Sequence, residues 1–106
     1  MTAVTQPLLD EIVRRLVDQF HPEEIILFGS RAWGMPSEGS DIDLLVIVSS
    51  SELRPAERAT LAHRALRGLN VSKDVLVKTR GEVERVRSVP ASLEAEILER
   101  GRRLYG

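Results

Sequence analysis

From Leu8 to Phe20 the apolar residues Leu8, Leu9, Ile12, Val13, Leu16, Val17 and Phe20 recur at helical spacing. Asp10, Glu11, Arg14, Arg15 and Asp18 fall on the opposite face, which is the pattern of an amphipathic helix lying on a core. Pro7 suits the first turn, where its missing N–H is no loss. His21-Pro22 ends the helix, because the residue before proline is steered away from helical angles. Residues 24–28 read as a short buried strand, its apolar run Ile25-Ile26-Leu27-Phe28 cut off by Gly29. Residues 30–34 start a short helix with Ser30 near its N-terminus. Residues 35–40 form a loop by composition.

Residues 41–48 read as a second strand, apolar on both faces after Asp43, as a central strand should be. Ser49-Ser50-Ser51 closes it. Ala56, Ala59, Ala62, Ala65 and Leu66 set a helix over about 55–67, with Gly68 at its exit. Residues 70–77 read as a third strand, followed by a short helical stretch at 82–87. A last helix spans 92–100, ends at Gly101, and leaves residues 102–105 as an edge strand. Strands alternating with helices predict an α/β (α+β) sandwich: a small mixed sheet of three to four strands flanked by helices. If the first two strands are neighbours, the Gly29-Ser30 turn and Asp41 and Asp43 face the same cleft.

Composition narrows the function classes. At 106 residues the chain is expected to be one domain over 1–106, with no room for a separate substrate domain. Fifteen Lys plus Arg stand against 16 Asp plus Glu, a formal net charge of -1, which argues against a duplex-binding protein with a basic face. The arginine clusters at Arg14-Arg15, Arg64 to Arg67, Arg85 to Arg87 and Arg100 to Arg103 read as solvated helix faces. There is no cysteine, which excludes disulfides and thiolate metal sites. No apolar run approaches the ~20 residues that span a bilayer, and no signal-peptide layout opens the chain. A soluble, cytoplasmic protein is the expectation.

The chemistry concentrates between Gly29 and Asp43. In an extended strand Asp41 and Asp43 project from one side. Carboxylates this close raise each other's pKa unless a cation sits between them, and a hard divalent metal is the natural occupant. The Gly29-Ser30 turn offers backbone N–H groups and a hydroxyl, as a phosphate requires. Two metal ions about 3.5–4 Å apart hold both the attacking and leaving oxygens of a phosphoryl displacement, and they usually draw on three carboxylates. Asp74 is the only acid inside the third strand, where Val75-Leu76-Val77 would bury it beside the second. The competing reading makes Asp74 a surface residue paired with Lys73 or Lys78.

The run GSRAWGMPSEGSDIDLLVIV resembles the signature of the DNA polymerase β-type nucleotidyltransferase superfamily: Gly-Ser, a spacer, then Asp-x-Asp. The spacer length, the absence of an appended domain and the single late Asp in a strand resemble its minimal (MNT) branch most. The resemblance covers essentially the whole chain. It implies the nucleotidyltransferase fold, with Gly29 and Ser30 on the β- and γ-phosphates of a nucleoside triphosphate such as ATP. It implies Asp41, Asp43 and Asp74 as ligands of two Mg2+ ions, with Mn2+ compatible with the same oxygens. It implies attack of an acceptor hydroxyl on the α-phosphorus. Several members of this branch act as antitoxins of a small helical HEPN toxin, some by transferring AMP to a tyrosine of that partner. Two alternatives stand beside this: a non-catalytic antitoxin that neutralises its partner sterically, and a small-molecule, aminoglycoside-type nucleotidyltransferase.

Other residues have plainer readings. Arg31 either approaches a phosphate from the short helix or is an exposed helix arginine. Trp33 either stacks on a base or, as preferred, packs over the domain edge. Ser40 is read as a turn serine, His21 and His63 as surface residues, and Tyr105 as cover for a core edge. A membrane role and a nucleic-acid role have no strong signal, and a homo-oligomer is compatible with the sequence.

Overall fold

The computed structural model describes residues 4–33 and 41–106. Helix α1 (Gln6–Phe20) forms where the amphipathic pattern predicts it. The Thr5 side chain accepts from Leu8 N–H at its start. At its end His21 turns into left-handed space (φ 47, ψ 55) and its N–H donates to Val17 O at 2.8 Å. The helix ends before Pro22 as expected, although His21 takes left-handed backbone rather than the extended form proline favours in its neighbour. Strand β1 (Glu24–Phe28), helix α2 (Ser30–Trp33) and strand β2 (Ile42–Val48) follow. The loop expected at 35–40, Ser40 within it, and the placement of the Trp33 ring lie outside the described residues.

Then come α3 (Pro55–Ala65), β3 (Lys73–Thr79), α4 (Arg80–Val86), α5 (Leu93–Arg100) and β4 (Arg102–Tyr105). The sheet order is β3-β2-β1-β4. β1 is antiparallel to both β2 and β4, and β2 is parallel to β3, so the sheet is mixed. Alternation along the strands splits the core. Ile25, Leu27, Ile42, Leu44, Val46, Val75 and Val77 pack against Leu9, Ile12 and Leu16 of α1 and against Ala62 and Leu66. Ile26, Phe28, Leu45 and Ile47 face the other way, onto Val83 of α4 and Ile97 of α5. Helices therefore cover both faces of the sheet, with β2 buried between its neighbours. No helix among the described residues is long and apolar enough to cross a membrane.

Several boundaries shift for identifiable reasons. α3 stops at Ala65 rather than 67, because Arg15 of α1 donates to the carbonyls of Ala65 (3.4 Å) and Arg67 (2.8 Å), closing the helix end from outside. β3 starts at Lys73 and runs to Thr79, two residues past the expected end. α4 begins at Arg80, earlier than the expected 82, because Thr79 and Glu82 form a reciprocal capping box.

The same Glu82 anchors the buried charge of the fold. Arg58, 5% exposed, is the buried charged residue among those described. Its guanidinium donates to Glu82 Oε1 at 2.7 Å and to the carbonyls of Leu53 (3.0 Å) and Val77 (3.1 Å). These bonds tie α3 to β3 and α4, and they satisfy the donors that burial would otherwise strand. The Arg58 hydrogen bond, with the Thr79 N–H second, pulls the Glu82 carboxyl from 4.5 down to about 2. A depressed acid pKa stabilises the folded state above the unfolded value, and that contribution is lost as pH falls.

Arg58→Ala is therefore expected to cost about 3 kcal/mol in chemical denaturation at neutral pH, since it removes the only cation paired with Glu82 among the described residues. In wild type, the stability supplied by the pair fades as pH drops from about 4.5 towards 2. A Glu82→Gln variant should show a shallower loss over that window, and an identical acid profile would contradict the clamp.

Candidate active site

The strand register assembles the site. Phe28, the last residue of β1, pairs with Asp43, and Asp43 pairs in parallel register with Asp74. Cross-strand partners share a face, so Asp43 and Asp74 stand side by side. They lie on the face of Leu45 and Leu76, which α4 and α5 cover further along the strands. The Asp43–Asp74 row is one step beyond that cover, where the face opens: Asp43 is half-buried and Asp74 exposed. Burial of Asp74 within β3 is thus corrected. It occupies the second residue of an edge strand at the open end of the sheet. Asp41 is also exposed and sits just before β2 rather than inside it, since pairing starts at Ile42.

Gly29 packs directly under Asp43. Its φ is +78, and a Cβ placed on it would run into the Asp43 carboxylate, with Oδ2 the nearest atom. Glycine is needed here twice over, for the left-handed backbone and for the close approach. Ser30 then opens α2, exposed at its first position, and Ala32 N–H donates to Gly29 O at 3.0 Å to close the turn. Arg31 follows, half-buried in α2. The Gly-Ser turn and the middle carboxylate are therefore in contact.

The electrostatics couple the three acids. Burial first, then the charges of Asp41 and Asp74, push the Asp43 carboxyl above its ordinary 3.8. The surface-pair reading of Asp74 does not hold. Lys73 Nζ instead donates to the carbonyls of Leu69 and Val71, each at 3.1 Å, and Lys78 faces Glu94 at 3.9 Å. Asp41 Oδ1 accepts from the Ser72 hydroxyl at 2.5 Å.

Among the described residues no three His, Cys, Asp or Glu side chains already close on one point as a metal cage. Three like charges have no reason to converge without a cation between them. What suits a divalent ion is the donor set: hard carboxylate oxygens, with Asp43 and Asp74 at the open end of one sheet face and Asp41 at the entry to β2, whose repulsion a cation would relieve. His21 and His63 are exposed and contribute nothing to this set, and Tyr105 is exposed on β4. Ser72 is the residue the sequence reading passed over. Its signal was present: it lies two before Asp74, as Asp41 lies two before Asp43.

Two outcomes follow for the protein without metal. Gly29→Ala should destabilise by at least about 1–2 kcal/mol, read by denaturant titration, from the backbone conformation alone. Asp43→Asn should raise the thermal midpoint in chelator at about pH 7, because the raised folded-state pKa means that ionising Asp43 costs stability as pH climbs through it. At about pH 3, where Asp43 is protonated in both states, that gain should vanish. An unchanged or lower midpoint at pH 7 would contradict the coupling.

Comparison with known proteins bears on the family and the fold. The model of the nucleotidyltransferase domain family matches residues 9–104. A Sulfolobus solfataricus protein assigned as a nucleotidyltransferase is 34% identical, over 74% of this chain and 70% of its own, with a TM-score of 0.61. A toxin–antitoxin structure with AMP-PNP is 27% identical over 92% of this chain and 72% of its own, with a TM-score of 0.65. A mutant of the toxin–antitoxin MntA-HpeT, 24% identical over 92% of this chain and 71% of its own, shares the fold at a TM-score of 0.63. No curated protein sequence matches the chain. With 96 consecutive residues from Leu9 to Leu104 matched and its Gly-Ser turn set against paired aspartates, the chain belongs to the nucleotidyltransferase domain family.

Proposed function

We propose that this nucleotidyltransferase moves a nucleoside monophosphate, AMP from ATP, to a hydroxyl on a small helical HEPN-type toxin and thereby acts as its antitoxin. The observation that carries the reading is the contact of Asp43 with Gly29, which sets a carboxylate beside the Gly29-Ser30 turn. A toxin–antitoxin relative of the same fold was solved with AMP-PNP, which supports an adenine nucleotide and a toxin partner. Among the described residues α1 and α3 pack on one face of the sheet and α4 and α5 on the other. A toxin–antitoxin relative of this fold favours an acceptor hydroxyl supplied by a partner protein.

In this reading Gly29 and Ser30 hold the β- and γ-phosphates, with Arg31 alongside. Asp41, Asp43 and Asp74 hold two Mg2+ ions, which when bound neutralise triphosphate charge and polarise the α-phosphorus. The acceptor hydroxyl would enter on the exposed side beside Asp74 and give up its proton to the Asp74 carboxylate. Its oxygen bonds to the α-phosphorus as the bond to the bridging oxygen of the β-phosphate breaks, and pyrophosphate leaves. The chain's own contribution is positioning and fixed charge. The domain, read as a single unit over 1–106, works in the cytoplasm.

The test combines the protein, the partner encoded beside it, Mg2+ and ATP labelled at the α-phosphate. Wild type should label the partner, and Asp41→Asn and Asp43→Asn should lower labelling by about 100-fold or more. An unlabelled partner whose toxicity both variants still neutralise would favour steric neutralisation and overturn the catalytic reading. Labelling of an aminoglycoside with no protein partner present would move the acceptor to small molecules.

A further inference from the structure

We propose that Ser72 is a positioning residue that fixes the Asp41 carboxylate for metal binding; this rests on reading Asp41 as a metal ligand. Asp41 lies outside the hydrogen-bonded strand and is exposed, so nothing in the β2 ladder sets its side-chain rotamer. An unrestrained aspartate there would divide its time among staggered wells. Two bonds to one residue prevent that. The Ser72 hydroxyl donates to Asp41 Oδ1 at 2.5 Å, and the N–H of the next residue, Ile42, donates to Ser72 O at 2.9 Å. Main chain and side chain of Ser72 thus pin the entry of β2 to the entry of β3. With Oδ1 held, Oδ2 becomes the oxygen presented to a metal.

The chemistry of the partner matters as much as its place. A short O–H···O⁻ bond is among the stronger hydrogen bonds, yet a hydroxyl brings no charge. It orients the carboxylate without neutralising it. A lysine or arginine in the same position would compete with the metal for that oxygen. Lys73, the adjacent cation, is held away by its bonds to the Leu69 and Val71 carbonyls. Ser72 stands two residues before Asp74, just ahead of β3, so one short segment supplies both a ligand and the brace for another. Hydrogen-bond partners of metal ligands typically account for 10–100-fold in metal affinity.

The experiment measures Mn2+ affinity directly, from the electron paramagnetic resonance signal of free Mn2+, with no nucleotide or partner present. Asp41→Asn should lose binding, and Ser72→Ala should weaken it about 10-fold or more. Ser72→Thr, which keeps the hydroxyl, should restore wild-type affinity with an unchanged thermal midpoint. Should Ser72→Ala perturb folding, Ser72→Cys keeps the shape with a much weaker donor and should show the same loss. Wild-type affinity in Asp41→Asn would remove the metal-ligand reading itself. Loss in Asp41→Asn with full affinity in both Ser72→Ala and Ser72→Cys would overturn the role of Ser72 alone.

Discussion

The site depends on one pairing, the parallel register that sets Asp43 against Asp74 while the other edge of the same residue pairs with Phe28. A slip of one residue in either ladder would send the carboxylate to the opposite face. β2 is protected against such a slip because it is apolar on both sides: Leu44, Val46 and Val48 fill one core, and Leu45 and Ile47 the other. The chain thus uses hydrophobic burial along β2 to hold a charged residue at its open end. Gly29 completes the constraint, since the turn that ends β1 can lie under Asp43 only without a side chain.

That arrangement stores a tension. The fold is stabilised by two apolar layers and by clamps such as Arg58 with Glu82, in which every buried donor finds an acceptor. The site is organised the opposite way, with acids brought near one another and the nearest lysine tied elsewhere. Burial, and then the charges of Asp41 and Asp74, raise the Asp43 carboxyl, and a bound cation would offset both. Functional sites commonly break the local rules that the rest of a fold obeys, and the break is informative when the surrounding register enforces it.

Much of this was legible in the sequence. Periodicity located α1, β1 and β2 because their apolar positions are regular and buried, whereas the alternation read for Asp41-Ile42-Asp43 reaches past the strand, which starts at Ile42. Where reading failed, the cause was a partner distant in sequence. The end of α3 is set by Arg15 of α1, some 50 residues away, which no local pattern encodes. Exposure of Asp74 depends on how far α4 and α5 extend over the sheet, whereas its apolar neighbours Val75 and Val77 face the other core. Thr79 and Ser72 differ in this respect. The Thr79-Arg80-Gly81-Glu82 capping box was visible as a local motif, whereas the bond of Ser72 to Asp41 needs the β2–β3 register that no local pattern gives.

The central claim is that Asp43 and its neighbours bind nucleotide through a divalent cation. The most direct measurement is isothermal titration of a non-hydrolysable ATP analogue into the protein, with Mg2+ and then with chelator. The account predicts binding that requires Mg2+ and disappears in Asp43→Asn. Equal affinity with and without Mg2+, or an Asp43→Asn variant that binds as wild type does, would contradict it.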